Sequence, residues 1–198
     1  YDLTVMKRID KITKLTDSIF LNLYEEDAVR RDGGKFKYFF ASRLPEKELR
    51  AYTHSTEAEG ISLFAVYGEE HDKVVLIREY RYPINDYVYD IPAGLIEKNE
   101  EPETAAVREF REETGLEFSV YSGGCEAMRK PAFSSVGLTD ETISVAYGFA
   151  AGQPDERFME ASEDISTVIA GRAELFRIIK EERITARAMF LIMLFLNS

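Results

Sequence analysis

The chain has 198 residues, 45% of them apolar and 31% charged, which allows one ordinary domain, or one domain with an added arm, around a real core. Thirty-six acids stand against 25 Lys and Arg, a net charge of -11. That balance argues against nucleic acid as a partner, since phosphate backbones attract basic surfaces, and an anionic substrate would have to be met locally by metal ions or a few placed arginines.

In chain order, Tyr1 to Asp10 lack the apolar segment of a secretory signal. Residues 1–50 read as an N-terminal antiparallel β-hairpin arm. Residues 18–24 alternate, Arg31-Asp-Gly-Gly-Lys35 carries turn residues, and 35–43 form a second β-rich run. The polar stretch 44–59 leads into a body placed at 51–198. Strands are expected at 61–67, 72–81 and 87–91, a helix at 102–114, and strands at 118–121, 142–150 and 166–169. Helical spacing returns at 172–182 and 186–197. Strands, a helix, strands and then helices point to an α/β sandwich.

The apolar run 189–196 is far below the roughly 20 residues of a membrane-spanning helix. It reads as a buried C-terminal helix or an oligomer contact, with no membrane partner. Cys125 is the lone cysteine. It can make no internal disulfide and points to a reducing, cytoplasmic setting. His54 and His71 are too few and too isolated for a zinc site or a His-based triad.

The densest chemistry lies in residues 94–116. Pro102 suits the first turn of a helix and Gly115 the left-handed position that ends one. Helical spacing puts Ala106, Val107, Phe110 and Thr114 on a core-facing arc, with Glu109, Glu112 and Glu113 outside it. Like charges this close destabilise a helix unless something offsets them. Arg108 can offset one carboxylate, and hard divalent cations, which take oxygen ligands, can match the rest. A solvated acidic helix face is the plainer reading. Against it stands the fixed spacing, Gly94, Glu100, Arg108-Glu109-Phe110, Glu112-Glu113 and Gly115-Leu116. A chance match to those nine positions is on the order of one in ten million.

This pattern resembles the signature of the Nudix hydrolases, with every fixed position filled. The signature covers 23 residues, and the flanking strands and C-terminal helices resemble the family from residue 61 onward. The resemblance implies an α/β fold, a Nudix-type α/β/α sandwich with a mixed sheet. It also implies hydrolysis of a nucleoside diphosphate linked to another group, with Mg²⁺ or Mn²⁺ as cofactor. Carried over by position, Glu109 and Glu113 would be metal ligands, Glu112 a ligand or a water-orienting base, Arg108 their structural partner, and Glu100 a supporting residue.

The flanks look like the ADP-ribose pyrophosphatase branch. Ala93, just before Gly94, would lend its backbone carbonyl to the metal. Arg81, at the end of the strand 72–81, would contact the pyrophosphate. Glu141, after Ser134-Ser-Val-Gly137, would act as the catalytic base or position it. Plainer readings are a strand-end charge for Arg81 and a surface turn acid for Glu141. Val136 stands where that branch has a proline, and Pro131 lies sixteen residues after Gly115. ADP-ribose, UDP-sugars, NADH or nucleoside triphosphates therefore all stay open as substrates, as does a non-catalytic ADP-ribose sensor. The N-terminal arm resembles those that form homodimers in this branch, and Tyr38, Phe39, Phe40 and Arg43 would then supply stacking and charge to a base.

Overall fold

The computed structural model describes residues 8–160 and 163–198. The reading of the first seven residues lies outside the described residues. In chain order the elements are β1 (Ile9–Lys14), β2 (Asn22–Val29), β3 (Lys35–Ser42), the short α1 (Arg50–Thr53), β4 (Gly60–Tyr67), β5 (Lys73–Arg81), β6 (Asp86–Asp90), β7 (Ala93–Leu95), α2 (Pro102–Thr114), β8 (Glu117–Val120), β9 (Ala132–Phe133), β10 (Thr142–Ala151), β11 (Ile165–Gly171), α3 (Arg172–Glu181) and α4 (Ala186–Leu196). They divide into two compact units. One is the described part of Tyr1–Ala58 with Pro131–Ile143, the other Glu59–Lys130 with Ser144–Ser198.

The first unit holds the antiparallel sheet β1-β2-β3. The expected hairpin is β2–β3, in unbroken register from Asn22↔Ser42 to Val29↔Lys35. Its turn is closed by Asp32, whose carboxylate accepts the Gly34 N–H at 2.9 Å. Two expectations change. The arm has a third strand, β1, paired with β2 through an irregularity between Ile9 and Lys11. The first hairpin strand begins at Asn22 rather than 18, because the Asn22 carboxamide accepts the Ser18 N–H and donates to the Ser18 carbonyl, both at 2.9 Å. That polar turn leaves Ile19 and Phe20 exposed. The core of this unit is Ile12, Tyr24, Phe40 and Leu49. Tyr24 and Phe40 oppose each other in the ladder and stack at 5.4 Å between centroids.

Residues 131–143 complete the same unit. The Ala41 N–H donates to the Leu138 carbonyl at 2.8 Å, Ala41 and Thr139 form a parallel bridge, and the Tyr38 hydroxyl donates to the Gly137 carbonyl at 2.8 Å. This segment therefore lies along β3.

In the second unit the strand order is β11-β5-β4-β10-β8, with β6 on β5 and β7 on β4. β5 is the buried spine. Val74 to Ile77 are all covered, as expected for a strand with layers on both faces. Alternation sends Val75 to one side, with Ile61, Leu63, Ala105, Ala106 and Phe110. It sends Val74 and Leu76 to the other, with Leu175 and Ile178 of α3 and Ala188 and Ile192 of α4. The result is the expected α/β/α sandwich. Of the C-terminal apolar run, Ile192 and Leu196 are buried, while Phe190, Met193 and Leu194 are exposed.

Asp90 ties β6 to the start of α4. Its carboxylate is 1% exposed in the ion pair. It accepts two aligned bonds from Arg187, Nε at 2.9 Å and Nη2 at 2.6 Å, plus the Thr185 hydroxyl at 2.6 Å and the Ile91 N–H at 2.8 Å. A buried charge is tolerated when it is paired and its lone pairs are used. Asp90 thereby fixes the strand end that leads into Pro92, Ala93 and Gly94.

Candidate active site

Helix α2 carries the acidic cluster. Pro102 stands in its first turn and Gly115 ends it with φ +70°. Any Cβ at Gly115 would also meet the backbone N and O of Asp155 at 2.4 Å. The buried face is Ala105, Ala106, Phe110, Glu113 and Thr114, with Phe110 stacked on Phe118 at 4.7 Å. This corrects two expectations. Val107 is 44% exposed rather than part of the core arc. Glu113, placed by spacing on the outer face, is 5% exposed, because it sits at the seam between the apolar arc and the acidic face.

Arg108 organises the rest. Its guanidinium grips Glu100 in a two-point bond, Nε at 2.9 Å and Nη2 at 2.8 Å. Nη2 also donates to the Leu95 carbonyl at 3.0 Å. Nη1 is shared between Glu109 at 2.8 Å and Glu112 at 3.0 Å. Glu100, held first by Arg108 and then by the Glu97 backbone, has its pKa lowered to about 2. Glu100 thus secures Arg108, and Arg108 secures Glu109 and Glu112.

Glu113 does not join that network. Its carboxylate accepts the Ala93 N–H at 3.0 Å. Burial pushes its pKa well above the ordinary carboxylate value. The Ala93 N–H opposes this, while the fields of Glu163, Glu79 and Glu109 add to it. Burial also raises Glu109, against the pull of Arg108. The Glu109 carboxylate lies where a side chain at residue 94 would stand: a Cβ there would be 1.9 Å from its carboxyl carbon. Gly94 is therefore needed for space.

Two acids of this unit were missed in the sequence. Glu79 on β5 and Glu163 before β11 are both raised, chiefly by burial. They come from segments far apart in the chain, and spacing on α2 gives no signal of them. Arg81 ends β5 with its Nη2 2.8 Å from Glu79.

Beyond Glu100, the carboxylates of Glu79, Glu109, Glu112, Glu113 and Glu163, with only Arg108 and Arg81 beside them, form an oxygen-rich donor set short of positive charge. That chemistry fits a hard divalent cation, which needs only one or two carboxylates and keeps its own waters when it is Mg²⁺. Among the described residues, no three acids, histidines or cysteines are already drawn together to hold an ion. Glu109 and Glu112 turn to Arg108, and Glu113 turns to Ala93. The expected convergence of the three glutamates is thus not preassembled.

The NUDIX domain model matches residues 56–177. The chain belongs to the Nudix family. Among Nudix and other relatives, the methanol dehydrogenase activator of Bacillus methanolicus is 34% identical over 133 residues, 63% of this chain and 64% of that protein. The ADP-ribose pyrophosphatase of Bacillus subtilis is 28% identical over 144 residues, 71% of this chain and 66% of that protein. The ADP-sugar pyrophosphatase of Mus musculus is 35% identical over 75 residues, 38% of this chain and 34% of that protein. The matches thus span from one third to two thirds of these relatives' own lengths. A crystal structure of an ADP compounds hydrolase superposes with a TM-score of 0.65 over 94% of this chain and 90% of that chain, at 18% identity. That likeness is one of fold. The Nudix signature of this chain runs from the end of β7 through α2.

The remaining expected site residues, Arg43 and Glu141, belong to the other unit. There Arg43 Nη1 pairs directly with the Glu141 carboxylate, and the Ser134 hydroxyl donates to that carboxylate's second oxygen at 2.7 Å. The sequence suggests Arg43 as a contact for a substrate base, and in this structure its guanidinium is engaged with Glu141.

Proposed function

We propose that the chain is a divalent-metal-dependent pyrophosphatase acting on ADP-ribose or a related nucleoside diphosphate sugar, and that it releases a nucleoside monophosphate and a sugar phosphate. The observation that carries this reading is the acidic cluster on α2, with the buried Glu113 carboxylate and the Gly94 recess filled by Glu109. Relatives that act on ADP-ribose and ADP-sugars support the substrate class.

Glu109, Glu112 and Glu113, with the Ala93 carbonyl, would hold Mg²⁺ or Mn²⁺. Bound there, such an ion would neutralise phosphoryl charge and lower the pKa of a water molecule. The protein's own residues do the rest. Arg108 keeps Glu109 and Glu112 in place and limits their repulsion. Arg81 binds the pyrophosphate, exchanging its contact with Glu79 for a more highly charged partner. Glu141 orients the attacking water or accepts its proton. We assign the protein a homodimeric state and a cytoplasmic setting, with which its single free, exposed Cys125 agrees.

The test is hydrolysis of ADP-ribose, ADP-glucose, UDP-glucose, NADH and dNTPs with Mg²⁺ or Mn²⁺, beside Glu113→Gln. ADP-ribose or an ADP-sugar should give the highest kcat/KM, and Glu113→Gln should lose at least about 100-fold. No turnover of any diphosphate would refute the enzyme reading, and full activity of Glu113→Gln would refute the ligand assignment. Light scattering that shows a monomer at micromolar concentration would refute the homodimer.

A further inference from the structure

The loop that bears Glu141 touches β3 through an isolated parallel bridge. Ala41 faces Thr139 across the bridge. Two residues beyond the bridge on each segment stand Arg43 and Glu141, which form an ion pair. There the Arg43 guanidinium meets the Glu141 carboxylate directly. The backbone on either side of Arg43 is itself fixed, because Ser42 is fully buried and its hydroxyl accepts the Leu44 N–H at 3.0 Å.

Glu141 is gripped from the other side as well. Ser134 donates its hydroxyl to Glu141 Oε2 at 2.7 Å, and the Ser134 N–H donates to the Glu141 carbonyl at 3.1 Å. The Glu141 N–H donates to the Thr139 hydroxyl at 3.2 Å. One carboxylate oxygen is thus held by Arg43 and the other by Ser134. The Glu141 side chain is 22% exposed and that of Arg43 is 41% exposed. A pair this open adds little to stability. What it does supply is a carboxylate with both oxygens directed and few rotamers left.

We propose that Arg43 and Ser134 are positioning residues that hold the Glu141 carboxylate in one orientation, Arg43 acting through Glu141 and not on a substrate base. As a role in turnover this rests on the pyrophosphatase reading. The physical clamp does not, and the two are tested separately.

The first experiment compares ADP-ribose hydrolysis by wild type, Arg43→Ala, Arg43→Lys, Ser134→Ala, Glu141→Gln and the double variant Arg43→Ala/Glu141→Gln. Arg43→Ala should lower kcat by roughly 10- to 100-fold, as for other residues that orient a working group, with KM within about twofold. Arg43→Lys, or free guanidinium added to Arg43→Ala, should restore part of kcat. In the Glu141→Gln background, Arg43→Ala should cost less than about twofold more, because no charged carboxylate remains to be held. A raised KM at unchanged kcat, with the same effect in both backgrounds, would show a substrate contact and overturn the proposal.

The second experiment is a double-mutant cycle of the same pair by urea unfolding. It should show coupling of roughly 2- to 5-fold in the unfolding equilibrium constant. Wild type without turnover on any diphosphate sinks the pyrophosphatase reading and leaves this cycle to decide the clamp. Zero coupling overturns the clamp whatever the activity.

Discussion

Replacing Gly94 by Ala should disable the site while sparing the fold. The new methyl would lie 1.9 Å from the Glu109 carboxyl carbon and 2.1 and 2.2 Å from its oxygens. Ordinary contact begins at 3.4 Å, so the carboxylate must retreat by about 1.5 Å. The obstacle is the far end of a flexible side chain, which can yield. The cost to folding is at most a hydrogen bond to Arg108, about 1 kcal/mol, partly offset by the entropy gained on replacing Gly. Catalytic geometry tolerates less. A displacement near 1 Å costs on the order of 100-fold in rate, or about 2.7 kcal/mol of barrier. ADP-ribose hydrolysis should be followed against Mg²⁺ concentration, beside a urea melt. The expected result is a near-normal melt, a kcat/KM down by about two decades and a higher half-saturating Mg²⁺. Glu109→Ala added to Gly94→Ala should change little more, since the Glu109 carboxylate is already displaced. Wild-type kinetics at the wild-type Mg²⁺ midpoint would refute the reasoning, and so would a variant that does not fold.

Four further outcomes follow from the geometry. Gly115→Ala should cost at least about 2 kcal/mol by urea unfolding, because φ is +70° and the obstacle is the Asp155 backbone, which cannot swing aside. Asp90→Ala should lose about 3–5 kcal/mol, since it strands the Arg187 charge against the buried end of β6. Glu100, ordinarily at 4.5 and about 2 when folded, adds stability that is present above pH 4.5 and lost as pH falls toward 2. An acid titration of Glu100→Gln should therefore be flatter than wild type in that window. Glu109, Glu113 and Glu163 carry raised values, so in metal-free protein their contribution is full below pH 4.5 and is lost as pH rises through their folded values. The rise in Tm on adding Mg²⁺ should accordingly be larger at pH 8 than at pH 5, and equal shifts would contradict the assignment.

Where the sequence was legible, one local force decided the outcome. Pro102, Gly115 and the helical period set α2 to the residue, and an unbroken apolar run set β5. Where it was not, two forces competed. Ser18–Asn22 hydrogen bonding overrode an alternating pattern and moved the start of β2. Asp10, Lys11 and Lys14 break the alternation of β1 and disguise it, and of its residues only Ile12 is buried in the core. Glu113 lies at the edge of a helical stripe, where a rotation of a few degrees separates solvent from interior. Glu79, Glu163 and the Arg43–Glu141 pair depend on chain segments brought together only by tertiary structure, and no local pattern encodes them.

Residues 131–143 complete a unit whose other residues end at Ala58. The bonds that seat them join positions 97 to 99 apart, from Tyr38–Gly137 to Ala41–Leu138. A ribosome delivers the three-stranded sheet first, and that sheet then waits through some seventy residues for its last edge. During that interval the free side of β3 offers unpaired backbone groups to any passing strand. Closure over so long a loop also places the finished unit late on the folding pathway. The Arg43–Glu141 pair can therefore form only after Glu59–Lys130 have been delivered, while Ser144–Ser198 of the second unit are still to come.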